Sequence, residues 1–460
     1  MRAAPGPRPA DPPPAGPASG QAGLPTGGAP GPRPRPLEDT LATITRRIGL
    51  SLGADLCWPL CYEEIVRRLD LSVPRGDDTI RFEVERVTIE PYDLRQPTKF
   101  DVILDRVTHW YGTSREWIKK ALLMDGVYVL NNPWTLQSME KQTTYCAMMR
   151  LGLPVPDTWM VPPKEYEESQ DLQPTLERYA RLFDLGEVGG ALGYPMYMKP
   201  YDGGAWKGVS RIDGEQQLRD AYESSGRLLM HLQRSVEGFD WFARCIGVGP
   251  QLNIVKYDPG AALHERYGVG TDGLSEEDIR VLHDMTLTIN TFFGWDFNSC
   301  EGLRQGGVWH PIDFANACPD SQVTSLHYHF PWLVRAKVRW SLFCAATKRP
   351  MRLNPDWQPF FDLSDRLEGK PLPERLRAFG DLARERLDAE AFETFCEAHL
   401  GDLDRVVIEY FESDHARDAI RQKVAALFPA HEVDEFTEHF WGRIQLWREH
   451  EQERLEASAR

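Results

Sequence analysis

Apolar positions come in short alternating or continuous stretches through the first two thirds of the chain and at helical spacing through the last third. Thr79 to Glu90 sets Ile80, Phe82, Val84, Val87 and Ile89 in near alternation with polar residues, the period of a half-buried strand. Phe100-Asp-Val-Ile-Leu-Asp-Arg106 is a short apolar run of buried-strand type. Ser114 opens a helix, with Ser-Arg-Glu-Trp ahead of Ile118 to Met124, and Asp125-Gly126 ends it. Val127-Tyr-Val-Leu130 is another buried strand, so this stretch predicts a βαβ unit with a parallel sheet. Ahead of these elements, Leu37 to Leu60 reads as one or two helices with loops.

Further on, a helix is expected from Leu136 to Leu151, closed by Gly152 and Pro154. Pro156 to Val161 is strand-like. Leu172 to Leu185 is helical, with a break at Gly189-Gly190. Tyr194 to Pro200 is a strand that runs into a Gly-rich hairpin reaching Ile212, and Glu215 to Ser225 is a helix. Leu228–Ser235 and Asp240–Val248 are strands. Ser275 to Phe292 is a helix whose acidic start suits the positive helix end. Gly294–Arg304 and Val308–Phe314 form a hairpin around Gln305-Gly306-Gly307. From about Pro331 helical periodicity dominates, as in Phe436, Phe440, Ile444 and Trp447. The fold class is therefore α/β with α+β character. The expected divisions are a tail (1–36), an α/β domain (37–134), a second mixed domain (135–330) and a helical C-terminal region (331–460).

Composition changes the picture at the N-terminus. Residues 1–36 hold 12 of the chain's 35 Pro, no aromatic residue, four Arg and one acid. Such a segment cannot bury enough apolar surface to offset its ordering entropy, and disorder is expected. It has no apolar stretch of signal-peptide type, and its Pro density opposes an amphipathic transit helix. The chain carries a net charge of −16, and the remainder is more acidic still, which argues against binding a nucleic-acid backbone. No apolar run is long enough to span a membrane. Of the eight Cys only Cys57 and Cys61 are close, so a structural zinc site is not expected, and reduced thiols in a cytoplasm are.

Two segments carry candidate chemistry. Lys199 ends an apolar strand and is followed by Gly203-Gly204-Ala-Trp-Lys207-Gly208, a lysine beside a loop of free N–H groups that can cradle phosphate. Trp206 and Lys207 fall in this covering hairpin. Asp296, Asp313 and Asn316 lie near facing positions of the hairpin Gly294–Arg304/Val308–Phe314 and offer hard oxygen ligands of the kind Mg²⁺ takes alongside phosphates and water. Glu301 is offset from Asp296 by an odd number of positions and faces away in a regular strand. A bulge would make it a ligand instead. His327-Tyr-His329 fits aromatic packing better than a metal site.

Lys141 with Gly152-Leu-Pro-Val-Pro156, then Tyr194-Pro-Met-Tyr-Met-Lys-Pro200, then Gly294-Trp-Asp296 with Asp313-Phe-Ala-Asn316-Ala-Cys-Pro319 follow in an order that resembles the ATP-grasp superfamily. Within it the chain is most similar to the branch of ribosomal-protein glutamate ligases and glutathione synthetases. The resemblance covers about residues 100–320. It implies an ATP-grasp fold behind a βαβ domain that walls the substrate site. It implies that Lys141, Lys199, Gly203 and Gly204 meet the phosphates of ATP, that the backbone of Gln233, Arg234 and Ser235 faces adenine, and that Asp240 lies near the ribose. Mg²⁺ would be held by Asp296, Asp313 and Asn316, and Arg244 and Arg266 would contact a carboxylate or acyl phosphate. The family's carboxylate–x–Asn pair is spaced by two. Asp313 and Asn316 are spaced by three, so a bulge is required to bring both to one face.

The reaction implied is ATP-dependent ligation: a carboxylate becomes an acyl phosphate, which an amine or thiol attacks. The protein must position groups, neutralise charge and exclude water. Phosphoryl transfer to another acceptor, and a degenerate nucleotide-binding scaffold, are the rival readings. The helical C-terminal region is a candidate surface for homo-oligomers.

Overall fold

The first strand departs from the pattern read above. In the computed structural model, Leu37–Leu60 is not helical throughout: β1 (Thr43–Ser51) leads into α1 (Cys57–Leu69). Ile44, Ile48 and Leu52 recur at a spacing of four, which mimics a helix. The strand is central in its sheet, so it lacks the alternation of a one-faced strand. Its Arg46 is buried through an ion pair to Asp101 at 3.0 Å. The described residues run from 42 to 458, apart from 110, 139, 180–181, 202–206, 263 and 317. The expected tail (1–36) and Gly203, Gly204 and Trp206 lie outside them.

β2 (Ser72–Arg75), β3 (Asp78–Arg86), β4 (Val102–Asp105), α2 (Gly112–Asp125) and β5 (Tyr128–Leu130) complete the first unit. The sheet order is β2-β3-β1-β4-β5. β1 is parallel to β3 and β4, and β4 to β5, as the βαβ reading expects.

The expected helix over Leu136–Leu151 is two helices, α3 (Pro133–Ser138) and α4 (Lys141–Arg150), so Lys141 is the first residue of the second. Then come β6 (Thr158–Val161), α5 (Leu172–Tyr179), α6 (Leu185–Leu192), β7 (Met196–Pro200), β8 (Ser210–Ile212), α7 (Glu215–Ser225) and β9 (Met230–Arg234). Gly189 and Gly190, expected as a break, sit inside α6, where the Tyr194 hydroxyl lies so close that a Cβ on Gly189 would meet it at 2.3 Å. These strands form an antiparallel sheet ordered β6-β9-β7-β8, with its own apolar core including Val161, Leu185, Met196, Met198 and Leu232.

The larger lobe contains β10 (Trp241–Val248), β11 (Gln251–Tyr257), β12 (Tyr267–Gly268), α8 (Glu276–Phe293), β13 (Phe297–Gln305) and β14 (Val308–Asn316). Its sheet order is β12-β11-β10-β13-β14. Ser275 caps α8 reciprocally with Asp278, and the acidic first turn faces the positive helix end, as its sequence implies.

The helical remainder is α9 (Val323–Leu326), a 3₁₀ turn (His327–His329), α10 (Phe330–Thr347), α11 (Gln358–Arg366), α12 (Leu372–Arg386), α13 (Ala389–His399), α14 (Leu403–Tyr410), α15 (Asp414–Ala425) and α16 (Val433–Ser458). α10 is buried around most of its circumference. One apolar cluster joins Ile48 and Leu50 of β1, Val248 and Phe297 of the large lobe, Leu333 and Trp340 of α10, and Ile420, Phe440 and Trp447 of the last helices. The Tyr62 hydroxyl meets Ser341 Oγ at 2.6 Å inside it. His329 is satisfied by Asn253 and by the Gly268 carbonyl, which fits the packing role expected of that segment.

Candidate active site

A cleft lies between the small antiparallel sheet and the face of the larger sheet. Lys141, Lys199, Lys207, Arg244, Glu301 and Asp313 line it, with Tyr197, Phe242, Ile312 and Asn316. Lys141 reaches it from the first turn of α4, and both Asp313 carboxylate oxygens accept from its Nζ, at 2.9 and 2.8 Å. Lys199 reaches it from β7, where its Nζ donates to Gln233 Oε1 at 2.7 Å and to the Ile312 carbonyl at 3.3 Å. Both lysines are more than nine-tenths buried. Burial lowers the pKa of Lys199 to about 8, with Lys141 adding to the shift and Asp313 opposing it.

The wall opposite is built by an irregularity in the β13–β14 hairpin. Next to the turn the register is regular, from Gln305 opposite Val308 to Gly302 opposite Pro311. Glu301 then pairs with Asp313, and Ser299 with Asn316, so β14 gains one residue at each of two bulges. At the first, the Ile312 carbonyl accepts from Lys199 and from the Tyr145 hydroxyl. At the second, the Asn298 side chain enters the ladder: its Nδ2 donates to the Phe314 carbonyl at 2.9 Å, and its Oδ1 accepts from Asn316 N at 3.0 Å. The bulge required by the spacing of Asp313 and Asn316 is therefore present, and both residues line the cleft beside Glu301.

The electrostatics of the two carboxylates diverge. Burial raises the Glu301 pKa, with Asp313 adding to the rise and Arg244 opposing it. Burial also acts upward on Asp313, but Lys141 and Lys199 outweigh it and hold its pKa below the ordinary value. Arg244 pairs with Glu301 at 3.2 Å and lies over the rings of Tyr257 and Tyr267, at 5.4 and 5.5 Å from their centroids. His231, behind the lysines on β9, has its pKa lowered to about 4 by burial and by both of them, so it stays neutral.

Other expected site residues are elsewhere. Asp296 does not line the cleft. It precedes β13, and its Oδ2 accepts from the Tyr128 hydroxyl and from Trp340 Nε1. Glu301 takes its place, because pairing across the hairpin turn, not separation from Asp296, fixes which side chains face Asp313. Asp240 does not line the cleft either. It is held on the surface by Arg304, with two contacts of 2.9 Å. Arg266 instead donates from Nε to the Ala261 carbonyl at 3.0 Å, within its own loop. At the junction of the lobes, the Arg234 and Ser235 N–H groups are taken by the carbonyls of Asp157 and Pro195. The Gln233 side chain is part of the site, bridging Lys199 to Thr158. The resemblance implies backbone contacts only for Gln233 and does not include Tyr197 or Phe242. The alternation of β7 and β10 already sets them on the faces of Lys199 and Arg244.

No family model matches the chain, and no curated protein matches it in sequence. Solved structures do. A RimK-domain ATP-grasp protein from Sphaerobacter thermophilus aligns at 14% identity over 59% of this chain and 92% of its own, with a TM-score of 0.41. D-alanyl-alanine synthetase A from Vibrio cholerae aligns at 13% identity over 67% and 99%, with a TM-score of 0.45. N5-carboxyaminoimidazole ribonucleotide synthetase from Thermotoga maritima aligns at 16% over 67% and 77%, with a TM-score of 0.42. In the described residues two antiparallel sheets contribute to the walls of the cleft, behind a mixed, mostly parallel sheet.

Proposed function

We propose that the chain is an ATP-dependent ligase that activates a carboxylate as an acyl phosphate for attack by an amine or thiol. The observation that carries this reading is that two buried lysines, Lys141 from α4 and Lys199 from β7, line one cleft with Arg244, Glu301, Asp313 and Asn316. A γ-phosphoryl group needs positive charge and fixed geometry more than it needs a nucleophile from the protein.

Lys141 and Lys199 bind and orient the phosphates as point charges. Before nucleotide arrives they rest on Asp313 and Gln233, so the cationic groups are already aimed into the cleft. Arg244 is clamped by Glu301 and two tyrosine rings, and it orients the carboxylate and steadies charge on the acyl phosphate. Phe242 and Tyr197 narrow the cleft and exclude water. Glu301, Asp313 and Asn316 are an all-oxygen set on adjacent positions of the bulged hairpin, and they fit Mg²⁺. When bound, it supplies neutralisation of phosphate charge. Asp296 has no part in this set.

The test is to incubate the protein with Mg·ATP, pooled carboxylates and hydroxylamine. Acyl hydroxamate formed together with ADP is the expected result. ADP with a phosphorylated alcohol or amine in its place would favour phosphoryl transfer. Absence of both products and of nucleotide binding would leave the scaffold reading.

A further inference from the structure

Asp296, singled out by its sequence context, is unused by the cleft, yet it opens onto a second cavity of about 330 Å³. Tyr128, Arg349, Arg352, Glu385 and Asp388 line it as well. It sits where three parts of the molecule meet: β5, the turn between α8 and β13, and the ends of α10 and α12.

The charges there are unevenly matched. Asp296 is only 8% exposed and forms no ion pair among the described residues. Its hydrogen bonds from Tyr128 and Trp340 both go to Oδ2, which leaves Oδ1 for whatever enters the cavity. The neighbouring guanidinium is already occupied. Arg349 pairs with Asp388, and donates to the Arg386 carbonyl at 2.8 Å and to the Tyr128 hydroxyl at 3.3 Å. Arg386 spends its own terminal nitrogens on the carbonyls of Pro355 and Asp356. Arg352 at the rim is exposed and in no ion pair among the described residues. Arg349 acts on Asp296 through space and not in contact, so a ligand ammonium placed at Oδ1 further offsets the cost of burying that carboxylate.

We propose that this cavity binds a compact zwitterion of the α-amino-acid class, with its ammonium at Asp296 Oδ1 and its carboxylate at Arg352, as a site separate from the cleft. A purely anionic ligand would meet Asp296, Glu385 and Asp388. A purely cationic one would leave Arg352 unmatched.

The proposal is tested on the full chain by calorimetry with the individual proteinogenic amino acids, using methylammonium and acetate as single-charge controls. At least one amino acid should bind saturably and neither control should. Arg352→Glu, at an exposed position that leaves the fold intact, should weaken that binding by about ten-fold or more, a free-energy step readily resolved. Asp296→Asn should abolish it. Lys199→Ala and Glu301→Gln should leave it unchanged, since they alter only the cleft. Binding that survives Arg352→Glu, binding lost with the cleft variants, or no amino-acid binding at millimolar concentration would overturn the proposal. Failure of Asp296→Asn to fold would leave the Arg352→Glu result decisive.

Discussion

Lys199 is an ammonium enclosed at the bottom of a cleft, with one amide oxygen and one carbonyl for company. Its pKa of about 8 means that the free protein loses this charge as pH rises through that value. Phosphate oxygens favour the charged form, so nucleotide binding should take up a proton above about pH 8 and weaken as pH rises further. Calorimetry in buffers of different ionisation enthalpy measures that uptake. Lys199→Arg should remove the pH dependence, and Lys199→Ala should weaken Mg·ATP binding at every pH without unfolding the chain. For the carboxylates, Glu301→Gln and Asp313→Asn should each lower ATP-dependent turnover by roughly 10²–10³, as loss of one preorganised stabilising group does. Nucleotide affinity should fall less. Full turnover in Glu301→Gln would remove Glu301 from the metal set.

At the scale of elements, the bulged β14 strand decides which side chains face the cleft. Asn298 is fully buried and holds the second bulge open by pairing with the Phe314 carbonyl and Asn316 N–H. Asn298→Ala leaves those groups unpaired, at a cost of about 1–3 kcal/mol each. It should lower the melting temperature and also depress turnover by misplacing Asn316, readouts that denaturation and steady-state assays separate. A second element-scale test is Gly249, in the β10–β11 turn at φ +56°, where a Cβ would meet the Trp340 ring at 2.4 Å. Gly249→Ala should destabilise by about 1–3 kcal/mol through the strained backbone alone, with the clash adding to it. The sequence made this site partly legible. Lys141, Lys199, Arg244, Asp313 and Asn316 were marked by their context and meet in the cleft, and the spacing of the last two already required a bulge. Glu301 and Asp296 are exchanged because their odd separation sets them on opposite sides of β13, as the sequence implies, but does not say which side meets the cleft. β1 was hidden because a central strand with a paired arginine lacks both alternation and pure hydrophobicity.

Among the described residues, α10 ties the first, mixed sheet, the large lobe and the last helices into one apolar cluster. A chain ending at residue 330 should therefore fail to fold, because β1, β10 and α1 would expose the faces that α10 covers. Removal of residues 1–36, which precede the first described strand, should leave the melting temperature unchanged; a shift of several degrees would show that the segment packs on the rest. The small antiparallel sheet keeps its own core, outside that cluster. Mobility should thus be one-sided: a rigid anvil carrying Arg244, Glu301 and Asp313, and a light hammer carrying Lys199 that swings against it. Backbone amides of β7 and β9 should exchange with solvent through local opening, while those of β1, β10 and β13 wait for global unfolding. Mg·ATP, by bridging the two, should slow the first set and leave the second almost untouched.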